Sequence, residues 1–309
     1  MSLPVRRLGG SDLGVSVMSL GSWRTYERIP REQGLEVMRA AREAGINFLD
    51  DARYNDETGT APIASGYSEV VFGELFRAAG WVRDEVVVSN KLWWEFWPQQ
   101  SAQEELDGSL ERMGLDHIDL IYAIHPPPEL SIERLVEEVA GVIQSGRARA
   151  WGTGMWSAEQ HHAALDVCDR TGAPRPCAAQ MATSLVEHAG PSDPEMQRAF
   201  ERGPIGLVAS YVLAGGALTG HYRRGTPGAA NDHGMSLATR VAALAEEWDV
   251  PASHVAFAYA FQHPALASVL FGSSTAAQLD ENVGAWATFE RLDEAQLAEV
   301  RALADNEDA

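Results

Sequence analysis

The sequence predicts an α/β fold of the (β/α)8 TIM-barrel type, on three observations. Short apolar, β-branched runs alternate with stretches of helical period along the whole chain, the pattern of a parallel sheet with crossover helices. Eight such runs occur, and no Pro-, Ser- or Gly-rich linker divides them into halves. A length of 309 residues is ordinary for a barrel that folds undivided, so residues 1–309 are expected to form a single domain.

The elements follow in order. Residues 8–16 (LGGSDLGVS) read as a small β-hairpin that closes the bottom of the barrel. Strands are expected at 17–20, 47–50, 86–90, 118–124, 148–153, 177–181, 206–209 and 268–271. Helical patterns lie between them at 31–44 (apolar at Leu35, Val37, Met38 and Ala41), 101–113, 131–143, 158–168 and 253–262. Several of these open on Ser, Pro or Asp, residues suited to a helix start. Two loops, 53–66 and 214–234, are longer than simple connections require, and such loops usually carry function. An extra C-terminal helix is expected at 291–303, ahead of an acidic, solvating tail.

Composition narrows the partners. The chain carries 44 acidic and 24 basic residues, a formal charge of −20. A field of that sign repels nucleic acid and anionic lipid, so neither is an expected partner. No apolar run reaches the ~18 residues that span a bilayer, and no apolar stretch follows the two N-terminal arginines, so no secretory signal is expected. Two cysteines, Cys168 and Cys177, are too few for a disulfide framework, which makes the cytoplasm the expected location. Oligomeric state stays open. One of the 24 basic residues is Lys, Lys91, and the other 23 are Arg. Arg keeps its proton and is larger and planar, so a position that retains the compact ammonium needs a point charge in a tight space.

Chemistry in such barrels sits at the carboxyl ends of the strands. The second expected strand ends in Asp50-Asp51, the third runs into Lys91, the fourth into His125, and the sixth carries Gln180. Around these positions stand Leu20-Gly21-Ser22-Trp23, Gly45 to Ala52 (GINFLDDA), Val87 to Lys91 (VVSNK), Asp119 to His125 (DLIYAIH), Leu213 to Gly220 (LAGGALTG) and Gly272-Ser273-Ser274 with Gln278 and Asn282. In these motifs, their order and their spacing, nearly the whole chain resembles the aldo-keto reductase superfamily. The resemblance implies an NADP(H)-dependent oxidoreductase that reduces aldehydes or ketones, with an Asp, Tyr, Lys, His tetrad. Asp50, Lys91 and His125 fall at three of its positions.

Those residue types suit the reaction. A hydride delivered to a carbonyl carbon leaves charge on oxygen, and a positioned acid must supply the proton. A free phenol, with a pKa near ~10, is a weak donor at neutral pH. A nearby ammonium is expected to lower that pKa, a carboxylate to hold the ammonium, and the histidine to orient the carbonyl oxygen. The family usually places its tyrosine five residues after the Asp, where this chain has Asn55. Tyr54, one residue earlier, is the expected donor, with Tyr67 the alternative. Asp51 stands where Thr is common, and Arg53 is its expected partner.

By the same resemblance, Gly21, Ser22, Trp23 and Asp50 border the cofactor, Gln180 bonds the nicotinamide carboxamide, and Leu213 to Gly216, including Gly215, run under the pyrophosphate. The stacking aromatic falls at Ser210; Tyr211 beside it either takes that role or is a core tyrosine. Gly272, Ser273, Ser274, Gln278 and Asn282 mark a helix N-terminus able to hold the adenosine phosphate. The Arg or Lys that many members use for a 2′-phosphate is absent, so NADP(H) is expected while NAD(H) stays possible in principle. Trp23, Trp93, Trp94 and Trp156 would line a pocket for an apolar or aromatic carbonyl substrate, with Trp94 the one expected against the outer helices. His161 and His162 read as a solvated helix face, and no metal is expected. Two rival readings remain: an NADP(H)-binding, redox-sensing barrel with little turnover, and a Schiff-base enzyme built on Lys91.

Overall fold

The computed structural model describes residues 3–219 and 232–305. Most of the expected 214–234 loop and the last acidic residues, 306–309, lie outside the described residues. Strands β1 (Val5–Arg7) and β2 (Gly14–Ser16) pair antiparallel. The hairpin therefore begins before residue 8, and the segment read from sequence supplies its turn and second strand. Leu8, Leu13 and Val15 plug the barrel floor. Gly9, at φ +52°, presses on the chain just ahead of two barrel strands. A Cβ there would lie 2.1 Å from the Cys177 carbonyl oxygen and 2.3 Å from that of Pro204, so only glycine fits.

The barrel consists of β3 (Met18–Gly21), β4 (Phe48–Asp50), β5 (Val87–Leu92), β6 (Ile118–Ile124), β7 (Ala148–Gly154), β8 (Ala178–Ala182), β9 (Gly206–Ser210) and β10 (Leu266–Phe271). Neighbours in sequence are neighbours in space, all pairs are parallel, and β10 closes on β3. The helices are α1 (Arg31–Glu43), α2 (Tyr67–Ala78), α3 (Ala102–Met113), α4 (Ile132–Gln144), α5 (Ala158–Thr171), α6 (Ala189–Ser192), α7 (Pro194–Arg202), α8 (Asp232–Trp248), α9 (Ala252–Phe261), α10 (Ala276–Phe289) and α11 (Glu294–Asp305). None among the described residues is long and apolar enough to cross a membrane.

Strand alternation builds two cores. Phe48, Val87, Leu120, Tyr122, Ala178 and Val208 fill the barrel. Leu49, Val88, Ile121, Trp151 and Leu207 face outward against Val37, Phe72, Leu106, Val139 and Ala164 of the helices. Helix starts are chemically marked. Ser101 with Glu104 and Ser157 with Gln160 form reciprocal capping boxes on α3 and α5, each cap contributing about 1 kcal/mol. Asp193 caps α7 with Pro194 behind it, and Thr275 caps α10. The loop between β4 and α2 is folded rather than open: Asn55 bridges Ser65, and the Gly66 N–H donates to the Tyr54 carbonyl at 2.8 Å.

Candidate active site

Register and alternation bring the polar strand residues together. Asp50 lies two residues past inward-facing Phe48, and Ser89 and Lys91 lie two and four past inward-facing Val87. Asp50 pairs in register with Ser89, and Lys91 with Tyr122. The Lys91 ammonium is 5% exposed, and each of its N–H groups has an acceptor. It donates to Asp50 Oδ2 at 2.6 Å, to the Asp51 carbonyl oxygen at 3.2 Å and to Tyr54 Oη at 3.3 Å. Asp50 also accepts from Ser89 Oγ at 2.7 Å. A buried ion pair bonded this fully is tolerated where an unpaired one would cost several kcal/mol.

Tyr54 stands half-buried at the start of the β4–α2 loop, with Trp93 edge-on at 6.1 Å and the Lys91 ammonium 5.6 Å from its ring centre. An ammonium cannot accept a hydrogen bond. Because Lys91 donates to Oη, the phenol's own proton is left for another acceptor. Tyr67 is elsewhere: it opens α2, accepts from Arg31 Nη2 at 2.9 Å and lies under the Arg31 guanidinium. The expected lowering of the phenol pKa is corrected. Burial first, then the charges of Asp50 and Asp51, push the Tyr54 phenol well above its usual range. The ammonium sits closer to Asp50 than to Tyr54, so it offsets the carboxylate more than it favours a phenolate.

The expected Asp51–Arg53 pair is also corrected. Arg53 bonds Glu95 at 2.7 Å and Ser65 at 3.0 Å, and lies 3.6 Å from Glu105. Asp51 points to the opposite face from Asp50 and accepts from the Ser22 hydroxyl. Its other oxygen is buried without a partner. Burial and the nearby charge of Glu69 push its carboxyl well above the carboxylate range. Glu69 is itself held by Asn90 and Arg112.

Other site residues divide between the mouth and the packing. His125 follows β6, is exposed, and lies 3.2 Å through Nδ1 from Gln160 Nε2. Gln180 shares the inward face of β8 with Ala178, and its Nε2 is buried with no partner. Trp23 stands exposed on the rim, and Trp93 packs on the barrel interior. Trp94 and Trp156 do not line the mouth. Trp94 is buried outside the strands and donates to the Ile124 carbonyl at 3.1 Å. Trp156 is buried between Trp151 and His161. Both tryptophans face outward into the helix layer, where large apolar area is hidden from water. His161, expected on a solvated face, is buried on Thr153 and the Ser157 carbonyl, and burial lowers its pKa to about 4.

The cofactor positions are partly satisfied by one another. The Ser22 hydroxyl donates to Asp51. Tyr211, at φ +57°, stands half-buried against the cluster of Leu185, Ala217 and Leu237. Gly215 and Gly216, at φ +65° and +92°, turn the backbone after Leu213. Gly21 borders Gly272, where a Cβ would come 3.1 Å from Thr25 Oγ1. At the start of α10, Ser274 donates to Gln278 Oε1 and Asn282 to Ser273 Oγ. Residues 272–282 hold no Lys or Arg. A nicotinamide cofactor fits this set: an unbonded buried amide at the mouth, a left-handed glycine pair, and hydroxyls at a helix N-terminus.

Sequence reasoning passed over Ser89 and the Asp51 carbonyl. Ser89 was legible in principle, since it lies two residues before Lys91 on the same strand face. The Asp51 carbonyl has no side-chain signal.

Comparison with known proteins gives the family. Residues 17–305 match the model of the Aldo/keto reductase family. A rice protein (Oryza sativa subsp. japonica) named probable voltage-gated potassium channel subunit beta is 30% identical over 304 residues, covering 91% of this chain and 90% of that protein. A protein of the same name from Arabidopsis thaliana is 28% identical over 304 residues, with the same shares covered. The chain belongs to the aldo/keto reductase family, and is an oxidoreductase by that membership.

Proposed function

We propose that the protein reduces aldehydes or ketones to alcohols with NADP(H), using Asp50, Tyr54, Lys91 and His125. The observation that carries this reading is one ammonium donating to both Asp50 Oδ2 and Tyr54 Oη. Gln180 would bind the carboxamide, the backbone from Leu213 to Gly216 would flank the pyrophosphate, and Gly272, Ser273 and Ser274, with Gln278 and Asn282, would hold the adenosine phosphate. When bound, the cofactor supplies the hydride. Tyr54 gives its proton to the oxygen of the carbonyl being reduced, and Lys91 stabilises the phenolate left behind. Asp50 keeps Lys91 aimed, and His125 steadies the carbonyl oxygen from the rim. Burial raises the phenol pKa, so the proton stays on Tyr54 until a more basic alkoxide draws it. Buried free thiols at Cys168 and Cys177 are consistent with a cytoplasmic site of action.

The test is consumption of NADPH with an uncharged aromatic aldehyde, with the alcohol identified by chromatography. No alcohol from a panel of aldehydes and ketones would refute the reading. A second reading draws on the relatives' names as channel subunits: a barrel that binds NADP(H) and reports redox state to a protein partner. It predicts tight NADPH binding without consumption. Dissociation constants for NADPH and NADH, from quenching of tryptophan fluorescence, decide the coenzyme. Weaker NADPH than NADH binding would overturn the NADP(H) assignment.

A further inference from the structure

A buried ion pair ties the loop that carries Tyr54 to the turn that follows Lys91. Glu105, in the first turn of α3, is 5% exposed. A glutamate is rarely hidden that far unless its oxygens are engaged. Here Oε1 accepts the Trp93 N–H at 2.9 Å and Oε2 accepts the Trp94 N–H at 3.2 Å. One carboxylate thus holds the two peptides directly after β5. Trp94 sits at φ +62°, a backbone conformation that bulky residues seldom adopt. Charge-assisted bonds to two successive N–H groups fix that turn. They also fix the Trp93 ring, which stands edge-on to Tyr54 at 6.1 Å.

Arg53, immediately before Tyr54, completes the tie. Its Nη2 lies 3.6 Å from Glu105 Oε1 and donates to Glu95 Oε2 at 2.7 Å. Its Nη1 donates to Ser65 Oγ at 3.0 Å, at the far end of the same loop. The guanidinium lies 5.4 Å from the centre of the Phe96 ring. One planar fork therefore joins both ends of the β4–α2 loop to the segment after β5, which the single ammonium of a lysine could not do. Tyr54 needs such a tie because it stands on a loop, whereas Asp50 and Lys91 are fixed by strands. Its bond to the ammonium, at 3.3 Å, is also the longest of the three that Lys91 makes.

We propose that Arg53 and Glu105 are positioning residues for Tyr54, a role that rests on the reductase reading: the pair holds the loop so that the phenol stays within reach of Lys91 and beside Trp93. A cycle of variants tests it, with the full chain, NADPH and an uncharged aromatic aldehyde. Arg53→Met keeps the apolar stem, and Glu105→Gln keeps the shape of the carboxylate. Each is expected to lower kcat about tenfold while the NADPH dissociation constant stays within about twofold of the parent. The two together should lose no more than about twofold beyond the larger single loss, because they act through one contact. Added to Tyr54→Phe, Arg53→Met should change the remaining turnover by less than about twofold. A merely structural role would instead lower turnover about tenfold in both backgrounds. That result, or a kcat for Arg53→Met within about twofold of the parent, would overturn the proposal. If the parent reduces no carbonyl compound, or Tyr54→Phe turns over like the parent, the reductase reading through Tyr54 is what fails. Amide hydrogen exchange then decides the tie alone: several-fold faster exchange over 54–66 and 93–97 in Arg53→Met supports it, and unchanged exchange overturns it.

Discussion

Replacing Lys91 by Met removes the ammonium while keeping an unbranched chain of similar length. In the parent protein that ammonium is 5% exposed and holds Asp50 at 2.6 Å and Tyr54 at 3.3 Å. In Lys91→Met, Asp50 keeps only the Ser89 hydroxyl as a side-chain donor. Leaving one partner of a buried pair costs about 3–5 kcal/mol. At roughly 2 °C per kcal/mol for a chain of this size, the midpoint of thermal unfolding should fall by about 6–10 °C. Lys91→Met/Asp50→Asn should recover much of that loss, because the uncompensated carboxylate is gone. Turnover should not recover in the double variant. The phenolate formed when Tyr54 releases its proton would lack its cation, lowering kcat by about 10²-fold or more in both variants. Thermal unfolding by circular dichroism and aldehyde-dependent loss of NADPH absorbance read the two effects separately. A Lys91→Met protein with kcat within about threefold of the parent would refute the assigned role.

Two further outcomes follow from the same structure. Asp51 has its carboxyl raised above the usual range, so the folded chain keeps a proton that the unfolded chain releases above ~3.9. Its contribution to stability is full below that pH and is lost as pH rises toward the folded value, at up to about 1.4 kcal/mol per pH unit. Asp51→Asn, which still accepts from Ser22, should therefore unfold at higher urea than the parent at neutral pH and match it in acid; parallel pH profiles would count against this. Burial pushes the thiols of Cys168 and Cys177 up to about 11 and about 12. Neither should react with iodoacetamide in the native protein at neutral pH, and both should after denaturation. Rapid native labelling would contradict their placement.

The strand pattern and the strand-end residues were readable because alternation and register are local consequences of the backbone. Asp50, Lys91 and Gln180 face inward because each lies two residues, or a multiple of two, from an apolar residue that fills the barrel. The hairpin start at Val5 was not readable, since β1 pairs through backbone and shows no apolar run. Trp156 was misplaced for a related reason: it follows a strand, but the turn after the strand decides whether a ring faces the mouth or the helix layer. The residue before Trp156, Met155, has positive φ, which no spacing rule announces. The partner of Asp51 was missed because Ser22 lies on a neighbouring strand end, distant in sequence and adjacent only after closure. The phenol's upward shift was missed because sequence names the charges near Tyr54 but not the burial around it.

Turnover by Tyr54→Phe, measured at saturating NADPH and aldehyde alongside the NADPH dissociation constant, tests the proton-donor assignment most directly. A fall in kcat of about 10²-fold or more with unaltered cofactor affinity is expected. Turnover equal to that of the parent would contradict it and remove Tyr54 from the chemistry.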